Sequence, residues 1–192
     1  MTEQFQKAIA RFDDENSRDP NLENGTPREL LYAQRLTAWV LKLRPDASEA
    51  LRLAARCQHI CRWEIPRATY EMSRAGYLKW RSDLKKFHAQ KAGEILREIG
   101  YPEEVIARVQ ALNLKKNFPT DPEACVLEDA LCLVFLEHQF AELAAKTDGE
   151  KMITVLQKSW GKMSSAAHAE ALKLDYGLRE KELLEKALGS KL

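Results

Sequence analysis

Residues 84–100 read L-K-K-F-H-A-Q-K-A-G-E-I-L-R-E-I-G. Leu84, His88, Ala92, Ile95 and Ile99 recur at steps of three and four, the spacing that places side chains on one face of an α-helix, and Gly100 supplies the stop. The pattern predicts a helix from about Tyr77 to Ile99. The same period extends to either side. Phe5, Ile9 and Phe12 mark a helix over about 3–16. Thr26-Pro27 opens another that runs to about Leu43, and Ser48 or Asp46 caps a third carrying Leu51, Leu53, Ala54, Cys57, Ile60 and Cys61. Beyond Gly100, helices are expected over about 102–114, 122–146, 150–163 and 166–188, separated by Pro119-Thr120-Asp121-Pro122 and Asp148-Gly149. No stretch alternates cleanly enough to argue a strand. The expectation is an all-α globule, a single domain of about eight helices over 1–192.

Composition agrees with a soluble, self-sufficient core. The chain has 192 residues, 45% of them apolar and 31% charged, with 30 Lys+Arg against 29 Asp+Glu and a net charge of +1. That balance excludes a broad basic coat for nucleic acid, although one local nucleic-acid or anion site stays compatible with it. The longest apolar run, Ala130 to Leu136, is far short of the roughly 20 residues a membrane span needs. Met1-Thr2-Glu3-Gln4 has neither the basic start nor the apolar stretch of a secretory signal, so a cytoplasmic protein without membrane partners is expected. Cys57, Cys61, Cys125 and Cys132 form no C-x2-C pair and read as reduced, small core residues.

The most unusual window is 56–81, R-C-Q-H-I-C-R-W-E-I-P-R-A-T-Y-E-M-S-R-A-G-Y-L-K-W-R. It sets six cations (Arg56, Arg62, Arg67, Arg74, Lys79 and Arg81) against two acids (Glu64 and Glu71). Trp63, Tyr70, Tyr77 and Trp80 are interleaved with them. Arginine forks suit phosphate or carboxylate, and the rings offer faces for a base to stack on. Arg56, Arg62, Trp63, Arg67, Arg74, Tyr77, Trp80 and Arg81 are therefore candidate contacts to a small anionic, phosphorylated ligand. The competing expectation is that these arginines pair with acids and the tryptophans fill core.

A second constellation places ionisable groups on apolar faces: His88 in its helix, Glu128 and Asp129 in the core helix V-L-E-D-A-L-C-L-V-F (126–135), and His59 beside the apolar face of its own helix. A buried carboxylate needs a cation, a donor or a metal as partner. Imidazole and carboxylate donors from separate helices make His59, His88 and Asp129 candidate ligands of a divalent metal (Mn, Mg, Fe or Zn), with Glu128 as a further ligand or a base. A buried hydrogen-bonded network is the alternative.

Five stretches, L-L-Y-A-Q-R (30–35), R-C-Q-H-I-C-R-W-E-I-P-R (56–67), R-A-G-Y-L-K-W-R (74–81), L-E-D-A-L-C-L-V-F-L (127–136) and S-W-G-K-M-S (159–164), resemble a bacterial and fungal family catalogued only as a numbered domain of unknown function, DUF4202. That resemblance brings no reaction. A more distant one, over about 28–145, is to the HD-domain metal-dependent phosphohydrolases. It implies an HD-like core over 28–145, an N-terminal helix and loop over 1–27 and a helical extension over 146–192. Leu53-Ala54-Ala55 leads to Gln58-His59 where that family has His-Asp, His88-Ala89 opens the helix ending at Gly100, and Asp129 falls at the family's late aspartate. Tyr32 stands at the first histidine's place and Gln58 at the second's, so the usual metal centre does not carry over intact. Either a site is rebuilt around His59, His88, Glu128 and Asp129, or the fold serves a different task.

Three functions follow as expectations. One is a metal-dependent phosphohydrolase acting on a nucleotide or other small phosphorylated compound, with His59, Glu128 and Asp129 catalytic. The second is a non-catalytic nucleotide- or RNA-binding module using the same basic aromatic pocket. The third is a helical protein-interaction module.

Overall fold

The computed structural model describes residues 2–189. The chain divides into two compact units, Met1–Ala124 and Cys125–Leu192. Among the described residues there are ten α-helices, two short 3-10 turns and one two-residue hairpin.

In the first unit, α1 (Glu3–Asn16) starts at Thr2, whose hydroxyl accepts the Phe5 amide at 3.1 Å, and buries Phe5, Ala8 and Phe12. Strands β1 (Leu22–Glu23) and β2 (Thr26–Pro27) pair antiparallel with Leu22 opposite Pro27. Asn24 and Gly25 between them take φ of 52° and 81°, the left-handed pair that a two-residue turn matching strand twist demands. Helix α2 (Arg28–Leu43) has no side-chain cap at Pro27; Asp19 serves instead, its Oδ2 accepting the Glu29 amide at 3.0 Å. Ser48 caps α3 (Glu49–Cys57), and Ser73 caps the 26-residue α4 (Arg74–Ile99), which Gly100 ends at φ 89°. Helix α5 (Glu103–Asn113) packs on α4 and α3; α1 lies on α3 and α4, and α2 on α3. The α4–α5 approach explains a glycine in mid-helix. A Cβ on Gly93 would collide with the Gln110 amide, which donates to the Ala89 carbonyl at 3.0 Å.

Helix α6 (Pro122–His138) enters the second unit at Cys125. There follow α7 (Phe140–Lys146), α8 (Gly149–Trp160), α9 (Ser165–Ala171) and α10 (Leu178–Leu188), with α10 packed on α8 and α7.

The expected all-α class holds, but the expected count of about eight helices is too low, because two continuous segments are broken. The 122–146 segment breaks at Gln139, where the chain turns so that the fully buried Phe140 meets Phe135 and Tyr176, with ring centroids 6.1 Å apart in both pairs. The 166–188 segment breaks because Tyr176 is itself buried and its hydroxyl donates to the Ala171 carbonyl at 2.9 Å, closing α9 before α10 begins. Helix α3 also ends early, at Cys57 instead of running to Cys61. Cys61 sits at φ 51°, its amide donating to the Asn16 side chain at 3.2 Å.

Arg56 ties α3 to α1 through a fork, with Nε and Nη2 each donating to an Asp13 oxygen at 2.6 Å while its side chain is only 13% exposed. Arg56→Met should lower unfolding free energy in urea by about 2 kcal/mol, because it strands a half-buried carboxylate. Adding Asp13→Asn should recover much of that loss, and simple additivity of the two would argue against a coupled pair.

Candidate functional site

The early end of α3 builds the site. Past Gln58 the chain leaves helical register, passes through 3-10 turns at Arg62–Glu64 and Arg67–Thr69, and reaches α4 at Arg74. Arg67 fastens this loop to itself: its guanidinium donates to the carbonyls of Tyr70 (3.1 Å), Glu71 (2.7 Å) and Ser73 (3.3 Å). Trp80 fastens it to α4, its indole N–H donating to the Ile65 carbonyl at 2.9 Å. At the far end the Glu71 carbonyl crosses so close to α4 that only glycine fits at position 76.

The loop brings His59 and Arg62 to α2 and α4. The His59 ring stacks on Tyr32, with centroids 4.2 Å apart and planes at 12°, and lies 5.7 Å from the ring of His88. Its Nδ1 is 3.5 Å from Glu29 Oε2, and Arg62 Nε is 3.8 Å from Glu29 Oε1. The Arg62 guanidinium rests over the Trp80 ring at 4.9 Å. His88 Nδ1 lies 2.8 Å from the Ile60 carbonyl; an oxygen there requires an N–H, which assigns the proton to Nδ1 and a lone pair to Nε2. That Nε2 is buried without a partner, and so is Glu29 Oε2.

Burial governs the charges. It pushes the Glu29 carboxyl up to about 7, against the pull of Arg62. It also pushes His59 well below its ordinary value, assisted by the positive charges of Arg62, Arg81 and Lys115, and His88 down to about 3, assisted by His59. Both imidazoles are therefore neutral at pH 7, while Glu29 is divided between its two forms. Cys57 and Cys61 are pushed up to about 12 by burial, so neither is a thiolate at neutral pH.

The sequence candidates separate. Arg62, Trp80, His59 and His88 come together. Arg56 is held by Asp13 and Arg67 by the loop carbonyls. Trp63 is half-buried in the first 3-10 turn; Arg74, Tyr77 and Arg81 lie exposed on the first turns of α4, with Arg81 donating to the Tyr77 hydroxyl at 3.1 Å. Glu128 and Asp129 belong to the second unit and have partners within it. Lys162 Nζ is 3.2 Å from Glu128 Oε1. Asp129 accepts the Ser164 amide at 2.8 Å and the Ser164 hydroxyl at 2.6 Å, holding the residue that caps α9. The sequence reading missed Glu29. The signal was available, because Glu29 shares the buried face of α2 with Tyr32, Ala33, Leu36 and Val40, an acid on an apolar stripe like Glu128 and Asp129.

Both Asp129 oxygens are engaged by Ser164, and among the described residues no group of three or more His, Cys, Asp or Glu side chains is arranged to hold a metal ion.

The family model "Domain of unknown function (DUF4202)" matches residues 6–184, and the chain belongs to that family. No curated protein and no solved structure matches it.

The shifts fix a pH dependence. A carboxyl whose folded value is raised contributes stability that is complete below its ordinary 4.5 and lost as pH rises through about 7. The two imidazoles, held neutral, act oppositely and lose stability as pH falls below 6.5. Glu29→Gln should therefore gain on the wild type by on the order of 3 kcal/mol between pH 4.5 and 7.5, read as a widening difference in melting temperature. A difference that stays flat with pH would mean that Glu29 titrates as a surface acid does.

Proposed function

We propose that the protein binds a phosphorylated small molecule of the nucleotide class at the Arg62 cluster of its first unit. Arg62 carries this reading. Its side chain is 27% exposed, none of its guanidinium N–H donors makes a hydrogen bond among the described residues, and its one carboxylate neighbour is 3.8 Å away and only partly ionised at neutral pH. A planar fork of five donors in that condition suits a phosphate, which supplies both the charge and the acceptors. Behind it, His88 Nε2 offers a buried lone pair and Glu29 Oε2 an unmatched oxygen. An acceptor-rich floor beneath a cationic rim fits a ligand with hydroxyl donors at one end and phosphate at the other, as in a sugar phosphate or nucleotide. The Arg62–Trp80 stack holds the guanidinium in place.

A second reading, metal-dependent phosphohydrolysis, is favoured by the resemblance to HD proteins and by the free His88 Nε2, since an imidazole lone pair is also a metal donor. One titration separates the two. In thermal shift and calorimetry with adenosine 5′-monophosphate and inorganic phosphate, binding should persist in chelator, weaken with salt, and fall tenfold to a hundredfold in Arg62→Met. Binding that requires Mn2+ or Mg2+, and is lost in His88→Ala, would favour the metal reading. Affinity that ignores both salt and Arg62 would refute the first.

A further inference from the structure

The arginines of the 56–81 window divide into those whose donors are spent and those whose donors are free. Arg56 is spent on Asp13 and Arg67 on three carbonyls; Lys79 is paired with Asp83 at 2.6 Å and sits 5.5 Å from the centroid of the Tyr70 ring. Arg62 is free in the sense given above. Arg74 makes no side-chain hydrogen bond or ion pair among the described residues, and Arg81 bonds only the Tyr77 hydroxyl while lying 5.9 Å from that ring's centre. The free cations are joined by rings: Arg62 over Trp80 at 4.9 Å, Trp80 beside Tyr77 at 5.9 Å, then Arg81.

This series lies on a part of α4 that does little for the core. Between Arg74 and Asp83 the one buried residue is Gly76, and the buried apolar face begins at Leu84. Arg74, Tyr77, Leu78 and Arg81 stand at steps of three and four and share one stripe; Tyr77 is 42% and Leu78 57% exposed. Ten helical residues span about 15 Å. A nucleic-acid strand advances about 3.4 Å per nucleotide, so the stripe outruns a single nucleotide several times over.

We propose that the ligand of the Arg62 cluster is the end of a single-stranded nucleic acid, whose following nucleotides run along the first three turns of α4, with phosphates on Arg81 and Arg74 and a base on Tyr77. This inference rests on the Arg62 reading and extends it. Unpaired guanidinium groups alternating with an exposed ring are the chemistry of sequence-tolerant strand binding, where rings stack bases and arginines follow the backbone. An apolar protein partner would leave Arg74 and Arg81 without counter-charge, and a second copy would face like charge.

The test measures dissociation constants of the full chain for adenosine 5′-monophosphate and for 5′-phosphorylated oligoadenylates and oligodeoxyadenylates of two, four and eight nucleotides, at 50 and 200 mM salt, with sedimentation run in parallel. Affinity should rise at least tenfold from one nucleotide to four, with a steeper salt slope. Arg74→Glu and Tyr77→Ala should each remove most of that gain and leave the mononucleotide within twofold. The RNA and DNA arms identify which strand is preferred, and a length gain in either supports the proposal. Equal affinity for one nucleotide and eight overturns it and leaves the Arg62 site standing. A length-dependent gain that survives Arg62→Met while mononucleotide binding is absent overturns the Arg62 reading and moves the site onto α4. A dimer abolished by Leu78→Glu, without any length dependence, assigns the stripe to self-association and overturns the proposal.

Discussion

The first unit is organised around one buried carboxyl. Glu29 occupies the opening turn of α2, where a surface position would cost nothing, yet its side chain is 11% exposed and sits among His59, Arg62 and the neighbourhood of His88. Asp19 holds it there. One Asp19 oxygen accepts the Glu29 amide, and the other accepts the Asn21 amide and side chain, so the hairpin, the start of α2 and the carboxyl are positioned together. Asp19 is itself buried, and its negative charge adds to the pressure that keeps Glu29 protonated. Without Arg62 at 3.8 Å a second buried acid would be costly; without Glu29, Arg62 would have no carboxylate partner among the described residues.

Much follows from that arrangement being unsaturated. Closed ion pairs elsewhere in the chain reach full contact: Arg56 with Asp13 at 2.6 Å, Arg97 with Glu103 at 2.6 Å, and Arg108 with both Asp121 and Glu123. The Glu29 contacts stop at 3.5 and 3.8 Å, and one of its oxygens is unmatched although buried. A chain able to build tight pairs leaves this one open, beside an imidazole whose lone pair is also unmatched. Buried polar groups without partners are costly in a core and useful where a ligand completes them.

The sequence made the helices legible because their apolar positions repeat over many turns. It did not show the hairpin around Asn24-Gly25, because two-residue strands are too short to register as alternation. What it hid were local decisions made by tertiary contacts. Phe140 and Tyr176 break two segments whose period runs on through the break, and Asn16, distant in sequence, holds Cys61 in a left-handed conformation that ends α3 early. The site was half legible for the same reason. His59, His88, Arg62 and Trp80 stood out by residue type, and the window around them by density. Glu29 went unread because an acid in a helix's first turn has an ordinary explanation, attraction to the amide end of the helix, and only the burial of its face overrides it. Glu128 and Asp129 stand out in the sequence as acids on an apolar helix that need partners. Pattern alone could not say that the partners would be Lys162 and Ser164.

Net charge conceals where electrostatic work is available. Thirty cations and 29 acids nearly cancel, and a field averaged over such a chain would attract nothing in particular. Cancellation is done pair by pair, however, and it is uneven. In the 56–81 window Arg67 is consumed in holding the loop, Arg56 in pairing with Asp13 and Lys79 with Asp83, while Arg62 and Arg81 flank the Trp80–Tyr77 rings and Arg74 stands exposed on α4. Local potential, not total charge, sets where an anion settles, because screening confines each exposed charge to about 8–10 Å. Arg62, loosely paired with Glu29, and the exposed Arg81 are joined through the rings of Trp80 and Tyr77, and their local field outweighs the overall neutrality. Burial does most to hold the His59 imidazole below its ordinary value, and the charges of Arg62 and Arg81 push it the same way.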